Sequence, residues 1–218
     1  LQECHAPYID WIQGLVAPGR ETARAYYGTN GWVSHTVGNI WGYCAPGIAL
    51  SWGVYPAGAA WHCHAIWEHF LFYRDMKYLE KIAYPVMKEA AIFWLANLVE
   101  YNGALISCPS VSAEHGAGIV NGKLLARGNS DGAAQYNIPG DFQDVEIVYD
   151  LFSNTAAAAR ELDTDPDFVT QIEAARARLM PLKVGQYGQV QEGGEDMDNP
   201  ECNHRHISHL YAVWPSDQ

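Results

Sequence analysis

Positive charge is scarce in this chain, where 13 Lys and Arg stand against 25 Asp and Glu and the formal net charge is -12. Phosphate backbones and anionic lipid surfaces are bound through clustered Lys and Arg, so this balance argues against nucleic acid and membrane as partners. Neutral and cationic ligands are left. Cysteine is sparse too, and Cys4, Cys44, Cys63, Cys108 and Cys202 include no Cys-x-x-Cys pair. That excludes the usual structural zinc spacing and a dense disulfide framework, and an odd count leaves at least one thiol without an internal partner. No apolar run reaches the ~18 residues of a membrane span. The N-terminus has no basic region followed by an apolar stretch, which excludes an uncleaved signal peptide. The Asn-x-Ser/Thr acceptor is missing throughout, so compartment stays open. Alternating strands are rare and no internal repeat is legible, so a solenoid is not supported.

What the chain has is aromatic and apolar mass. Its 8 Trp, 13 Tyr and 6 Phe make 12% of the residues, and hydrophobic residues make 49%. That is ample for the core of one domain or one large piece of a bigger one. Flat rings suit a sugar-binding cleft and suit core packing equally. Period-3.6 patterning predicts a helix from Met76 to Val99, with Leu79, Ile82, Ala83, Val86, Met87, Ala90, Phe93 and Trp94 on its buried face. Pro85 should kink or split it near Tyr84. Ala57 to Phe72 is apolar almost all round, as in a helix buried on several sides. Asp144 to Leu162 carries a stripe of Val145, Val148, Leu151, Phe152, Thr155 and Ala159. A fourth helix runs from Asp167 to about Met180, with Asp165 as N-cap and Pro166 at the first helical position. Asp10 to Ala25 is a weaker candidate. Long connections lie between them, over 28–56, 102–143 and 181–206, and loops of that length are usually functional. The fold class this predicts is all-α, a toroid of antiparallel helices whose loops assemble a cleft on one face.

Within those loops, Ser107 to Gly116 presents Glu114 among small residues on irregular chain, where Pro109 forbids a helix interior. Catalytic groups concentrate on such loops, although an exposed glutamate with no role is the commoner case. Gly31 to Gly42 sets His35 and Asn39 between tryptophans. An asparagine there can hold vicinal sugar hydroxyls or orient a water, or simply satisfy backbone groups of a turn. In Trp61 to His69, His64 and Glu68 stand one helical turn apart with His69 adjoining. Metal ligation is permitted, but the zinc-protease pattern is absent and structural hydrogen bonding is favoured. Acids from Glu195 to Asp198, followed by His204, His206 and His209, match no calcium or zinc cage.

Together, Trp32 to Gly42, Trp61 to Phe70, Ser107 to Glu114, Phe142 to Asn154 and His204 to Pro215 resemble, in order, glycoside hydrolase family 95. That family consists chiefly of α-L-fucosidases acting on terminal α-1,2-linked fucose, on an (α/α)6 barrel. The resemblance implies that residues 1–218 are a partial barrel domain, without the family's N-terminal β-domain and closing helices. It implies inverting hydrolysis with Glu114 as general acid, its pKa raised beside aromatic neighbours, and Asn39 helping to position the attacking water. His35 contacts the sugar, and Trp41, Trp61, His64, Glu68, Arg205 and His206 complete the substrate-binding set. The expected partner is a fucosylated oligosaccharide, with no cofactor and no metal, and the expected location is extracellular. Two departures stand out: Ala113 replaces the proline before the acid, and Val37 replaces the first of two water-orienting asparagines. A family aspartate that assists the base is expected beyond Gln218. A catalytically impaired fragment that binds fucosylated saccharides is the alternative, and a helical interaction protein ranks last. An incomplete toroid leaves apolar faces uncovered, so self-association or assembly with the remainder of a parent chain is expected.

Overall fold

Period-3.6 patterning builds the framework of the computed structural model, which describes residues 2–48, 50–111, 117–120, 123–125, 135–136, 140–201 and 205–218. The chain starts with α1 (Gln2–Thr22), which widens into a π-helical turn at Ala23–Tyr27. Gly28, with φ +65°, stops it by turning its amide back onto the Ala23 and Arg24 carbonyls, the usual left-handed cap. The weak candidate at 10–25 is thus a longer helix that begins at Gln2. After the short α2 (Leu50–Gly53) comes α3 (Gly58–Tyr73), within one residue of its predicted bounds. Its burial spans more than half its circumference, from Ala59, Cys63, Ile66 and Phe70 round to Trp67, while Trp61 and Phe72 face outward.

Pro85 is accommodated by a change of helix type. The segment runs α4 (Met76–Tyr78), a π turn at Leu79–Ala83, then α5 (Tyr84–Asn97) with Pro85 in its first turn. A widened turn just before the ring removes the clash and the missing-donor problem that a proline creates in an α-helix interior. Asp75 caps the start by accepting the Lys77 and Tyr78 amides. Long α6 (Phe142–Glu161) and α7 (Pro166–Arg176) complete the framework, and α6 packs on α3, α5 and α7. Ahead of α7, Asp165 holds the predicted cap position but makes no side-chain cap bond. It lies at φ +50° and accepts from Tyr84 Oη and Lys88 Nζ, each at 2.6 Å. These bonds hold its carboxyl below the usual range and tie α7 to α5. The pair is partly exposed, so Asp165→Ala should cost only about 1 kcal/mol, read as a small fall in the urea midpoint.

The long connections carry more order than their composition suggests. At the mouth of the 102–143 connection, β1 (Val99–Tyr101) and β2 (Ala104–Ile106) form an antiparallel hairpin in the register Val99 to Ile106, so Val99 belongs to a strand and not to the end of the preceding helix. The hairpin's two-residue turn is Asn102-Gly103, both at positive φ, the combination that matches the twist of paired strands. Beyond it, β3 (Ala117–Val120) pairs antiparallel with β4 (Lys123–Leu125) and β5 (Gln135–Tyr136). The 28–56 connection is anchored in the core by Trp32, which is fully buried and donates from Nε1 to the Val86 carbonyl at 2.9 Å. Gly31 beside it, at φ +86°, sits so close that a Cβ would overlap the Glu89 carbonyl oxygen and the Phe93 amide. Only glycine fits there.

Helix α6 is buried on nearly every side, polar positions included. Asp144 and Glu146 are 0% exposed and Asp150 is 8% exposed. Each carboxyl fastens another segment to the helix, as buried charge-bearing groups must be hydrogen-bonded. Asp144 Oδ2 accepts from Ser110 Oγ at 2.8 Å, and that oxygen in turn accepts the Asp141 amide. Glu146 Oε2 accepts the Ala212 amide at 3.2 Å, while Asp150 Oδ1 accepts from Ser216 Oγ at 2.6 Å. These bonds fix two walls of a hollow, the Ser107–Val111 strand end and the C-terminal 207–218 segment. Among the described residues no helix is long and apolar enough to cross a membrane.

Candidate active site

A cavity of about 340 Å³ opens where α1, the 28–56 connection, α3 and Val111 meet. Tyr8 of α1, His35, Trp52, Tyr55, then Trp61 and His62 of α3 line it, and Val111 and His206 close it. His35 is 3% exposed and fixed at both ring nitrogens. Nδ1 accepts the Tyr55 amide at 2.9 Å, so the proton sits on Nε2 and is offered to Tyr27 Oη at 3.1 Å. Burial lowers its pKa to about 4. His62 shares a hydrogen bond with Tyr8 Oη through Nδ1 at 2.8 Å and stands edge-on to Trp11; burial lowers it to about 4 as well. At neutral pH both rings are therefore uncharged, since the unperturbed value is about 6.5. A cavity with aromatic walls and two neutral imidazoles suits a neutral, partly apolar ligand better than an anion.

Trp61 is the hinge of the site. Its indole lies 6.4 Å from the Tyr55 ring and meets Tyr211 edge-on at 5.6 Å. Beyond it a second, more open groove is lined by Gln143, Arg205, His206, Tyr211 and Trp214, with Trp61 and His206 common to both hollows. Of the residues expected from sequence, the structure thus brings together His35, Trp61, Arg205 and His206. It sets four others apart. Trp41 is 86% exposed and borders a separate hollow with Trp11, Ile40 and Gly42. Asn39 is exposed, and its Oδ1 accepts the Trp41 and Tyr43 amides at 2.9 and 3.2 Å, an Asx turn that staples the loop. His64 faces Asp150 at 3.9 Å and Tyr211, and neither it nor half-buried Glu68 lines the two joined hollows. Glu114 lies outside the described residues.

Several groups at the site escaped the sequence reading. Tyr8, Thr36, Trp52, Tyr55 and Val111 come from elements far apart in the chain, and His62 is hidden among neighbouring histidines. The buried acids of α6 lie behind the same walls. Burial is the main cause that pushes Asp144 up to about 8 and Glu146 up to about 9, and the Asp141 charge adds to both. Asp150 is raised also, again chiefly by burial. Asp144 in turn raises Tyr27 and Tyr55, whose own burial is the larger cause. Among the described residues no group of three or more His, Cys, Asp or Glu is placed to hold a metal ion.

Known proteins are similar to this chain in sequence and in fold. "Alpha-L-fucosidase 2" of Arabidopsis thaliana is 33% identical over 99% of this chain and 25% of its own length. "Probable alpha-fucosidase A" of Aspergillus niger is 33% identical over 90% of the chain and 24% of its own length. The chain therefore spans about a quarter of the length of these relatives. In fold it is similar to the solved structure named "Putative kojibiose phosphorylase from human microbiome", with a TM-score of 0.53 and 12% identity, covering 80% of this chain and 25% of that one. That likeness identifies the all-α framework as part of an α/α toroid. The profile of the "Glycosyl hydrolase family 95 catalytic domain" matches residues 1–218, end to end. On that match the chain belongs to glycosyl hydrolase family 95, as part of its catalytic domain.

Proposed function

We propose that this chain forms part of an enzyme that releases terminal α-L-fucosyl residues, α-1,2-linked, from oligosaccharides with inversion at the anomeric carbon. One observation carries the reading: Val111, which closes the uncharged aromatic cavity, stands three residues before Glu114 in the chain. A 6-deoxy sugar has no ionised group, and its methyl finds apolar wall there. In the proposed step Glu114 gives its proton to the glycosidic oxygen as the bond from C1 to that oxygen breaks. A water oxygen bonds to C1 from the opposite face and passes its proton to a base, with acid and base roughly 6.5–9.5 Å apart in this mechanism. His35 and Trp61 are assigned to the sugar's apolar surface. His206 and Arg205 serve its hydroxyls. The names of the fucosidase relatives support the substrate class, and secretion follows as part of the same reading.

The test is product analysis with the full-length protein and a fucosylated disaccharide, followed by NMR. Fucose should appear first as the β-anomer and then mutarotate. First appearance as the α-anomer would refute inversion, and no release of fucose would refute the activity. A second reading, binding without cleavage, has an observation of its own. Val37 offers no polar group, and the Asn39 oxygen is already engaged by two backbone amides. Calorimetric binding of the disaccharide with no fucose released would establish that reading instead.

A further inference from the structure

The buried carboxyl row of α6 has no part in the reaction as stated so far, yet its first member holds the chain that leads to Glu114. We propose that Asp144 is a positioning residue for the general acid, acting through the serine hydroxyls of the strand end that enters the Glu114 loop. The inference rests on the glycosidase reading above, with Glu114 as the proton donor.

Three observations support it. First, Asp144 grips the entering strand at Ser110 and Ser107, both of them fully buried, so bulk water does not compete for their hydroxyls. Ser110 Oγ donates to Asp144 Oδ2 at 2.8 Å, and the Ser107 hydroxyl stands near enough to favour the charged form of the same carboxyl. Ser107 Oγ makes no well-formed hydrogen bond, so Ser110 is the stronger of the two points. Second, the grip joins both ends of the chain that carries Glu114. That chain leaves at Val111 and returns at Gly140, where the Gly140 amide donates to the Ser107 carbonyl at 2.9 Å and the Asp141 amide donates to Ser110 Oγ at 3.2 Å. Asp144 lies in the first turn of the helix that follows, so the loop is closed onto a rigid element. Third, the residue beside the grip is cavity wall. Val111 closes the cavity at 1% exposure, and Glu114 comes three residues later in the chain. A slip of the entering strand would therefore be passed to the acid, and a misplacement of about 1 Å can cost as much as 10²-fold in rate. Burial keeps the Asp144 carboxyl protonated at neutral pH, so it anchors the strand without setting a fixed negative charge behind the cavity.

Two substrates separate positioning of the acid from general upkeep of the fold. A fucosylated disaccharide needs a proton on its leaving oxygen, whereas the fluoride of α-L-fucosyl fluoride departs without one. Asp144→Leu and Ser110→Ala, made in the full-length protein, should each lower kcat on the disaccharide about tenfold, a part of what full misplacement costs. KM should change little, and the fluoride should be turned over at close to the wild-type rate. Combining the two changes should lose no more than the worse single one, because both break the same contact. Asp144→Asn keeps an uncharged side chain and an oxygen for the Ser110 hydroxyl, and should recover most of the rate lost in Asp144→Leu. Ser110→Ala deletes one oxygen and leaves α6 intact, so it decides the matter even where Asp144→Leu does not fold. Undiminished kcat on the disaccharide in Ser110→Ala overturns the proposal, and so does equal loss on both substrates, which would make Asp144 a support of the cavity wall alone. If the wild-type protein cleaves neither substrate, it is the glycosidase reading that fails, and the positioning role falls with it.

Discussion

Replacing Glu114 with glutamine should lower kcat on a fucosylated disaccharide by about 10²–10⁴-fold, the usual worth of a positioned general acid, and leave α-L-fucosyl fluoride almost untouched. A sugar alkoxide is a poor leaving group and must be protonated as it departs. Fluoride departs without that proton. Glutamine keeps the volume and the hydrogen-bonding capacity of the side chain and removes only the transferable proton, so the contrast between substrates isolates the chemical role. The loss should fall on kcat with KM little changed, since the acid acts in the transition state rather than in ground-state binding. If both substrates slow equally, Glu114 holds the sugar or the loop. If neither slows, the proton donor is elsewhere, and the protonated carboxyls behind the cavity become the next candidates.

That contrast also marks how far the sequence could be read. The period-3.6 stripes on α3, α5 and α6 were legible because one apolar face of each is packed and 3.6 divides the pattern cleanly. The boundaries of these three came within one or two residues, whereas α7 stops at Arg176, short of the expected Met180, and α1 begins eight residues before Asp10; Pro85 announced the break where the π turn lies. Burial of the opposite face of α6 was not legible. Glu146 and Asp150, one turn apart, look like a solvated face, and Asp144 is a lone acid in line with the apolar stripe; only the serines and amides of distant segments make their burial tolerable. The hairpin at 99–106 was legible and overlooked: its Asn102-Gly103 turn is a strong short-range signal. Trp32 and Trp41, nine residues apart in one block, end up 0% and 86% exposed, and no local pattern separates them. The candidate site was half legible for the same reason. His35, Trp61, Arg205 and His206 sit in motifs that resemblance could mark, whereas Tyr8, Trp52, Tyr55 and Val111 become neighbours only through packing of separate elements.

Stability should fall steeply as pH rises from about 6.5 to 8, and the buried carboxyls of α6 are the cause. Asp144 and Glu146 are pushed up to about 8 and about 9 in the folded protein, against about 3.9 and 4.3 in an unfolded chain. Between those limits the unfolded chain has released protons that the folded one retains. Each group therefore removes about 1.4 kcal/mol of stability per pH unit. His35 and His62 act in the opposite direction. Both are lowered to about 4 by burial, so from about pH 4 to 6.5 the unfolded chain binds protons that the folded one does not, and stability gained from them offsets the carboxyl loss. Asp150 is shifted in the same direction as the two acids and His69 in the same direction as the two histidines, both chiefly by burial, so groups of opposite sign on both sides give a near-plateau below pH 6.5. Above it the histidines are neutral in both states and the carboxyl effect stands alone, on the order of 3–4 kcal/mol by pH 8. That is a large share of the ~5–15 kcal/mol a domain has. Glu146→Gln combined with Asp144→Asn removes both ionisations, keeps acceptors for the Ala212 amide and Ser110 hydroxyl, and should flatten the profile above pH 6.5. At pH 8 the double variant should then be more stable than the wild type although it has lost two native carboxyls. Urea midpoints at half-unit steps from pH 5 to 8.5 decide it: a wild-type midpoint that holds or climbs above 6.5 means these side chains are ionised in the fold, and the protonated-core account of α6 is wrong.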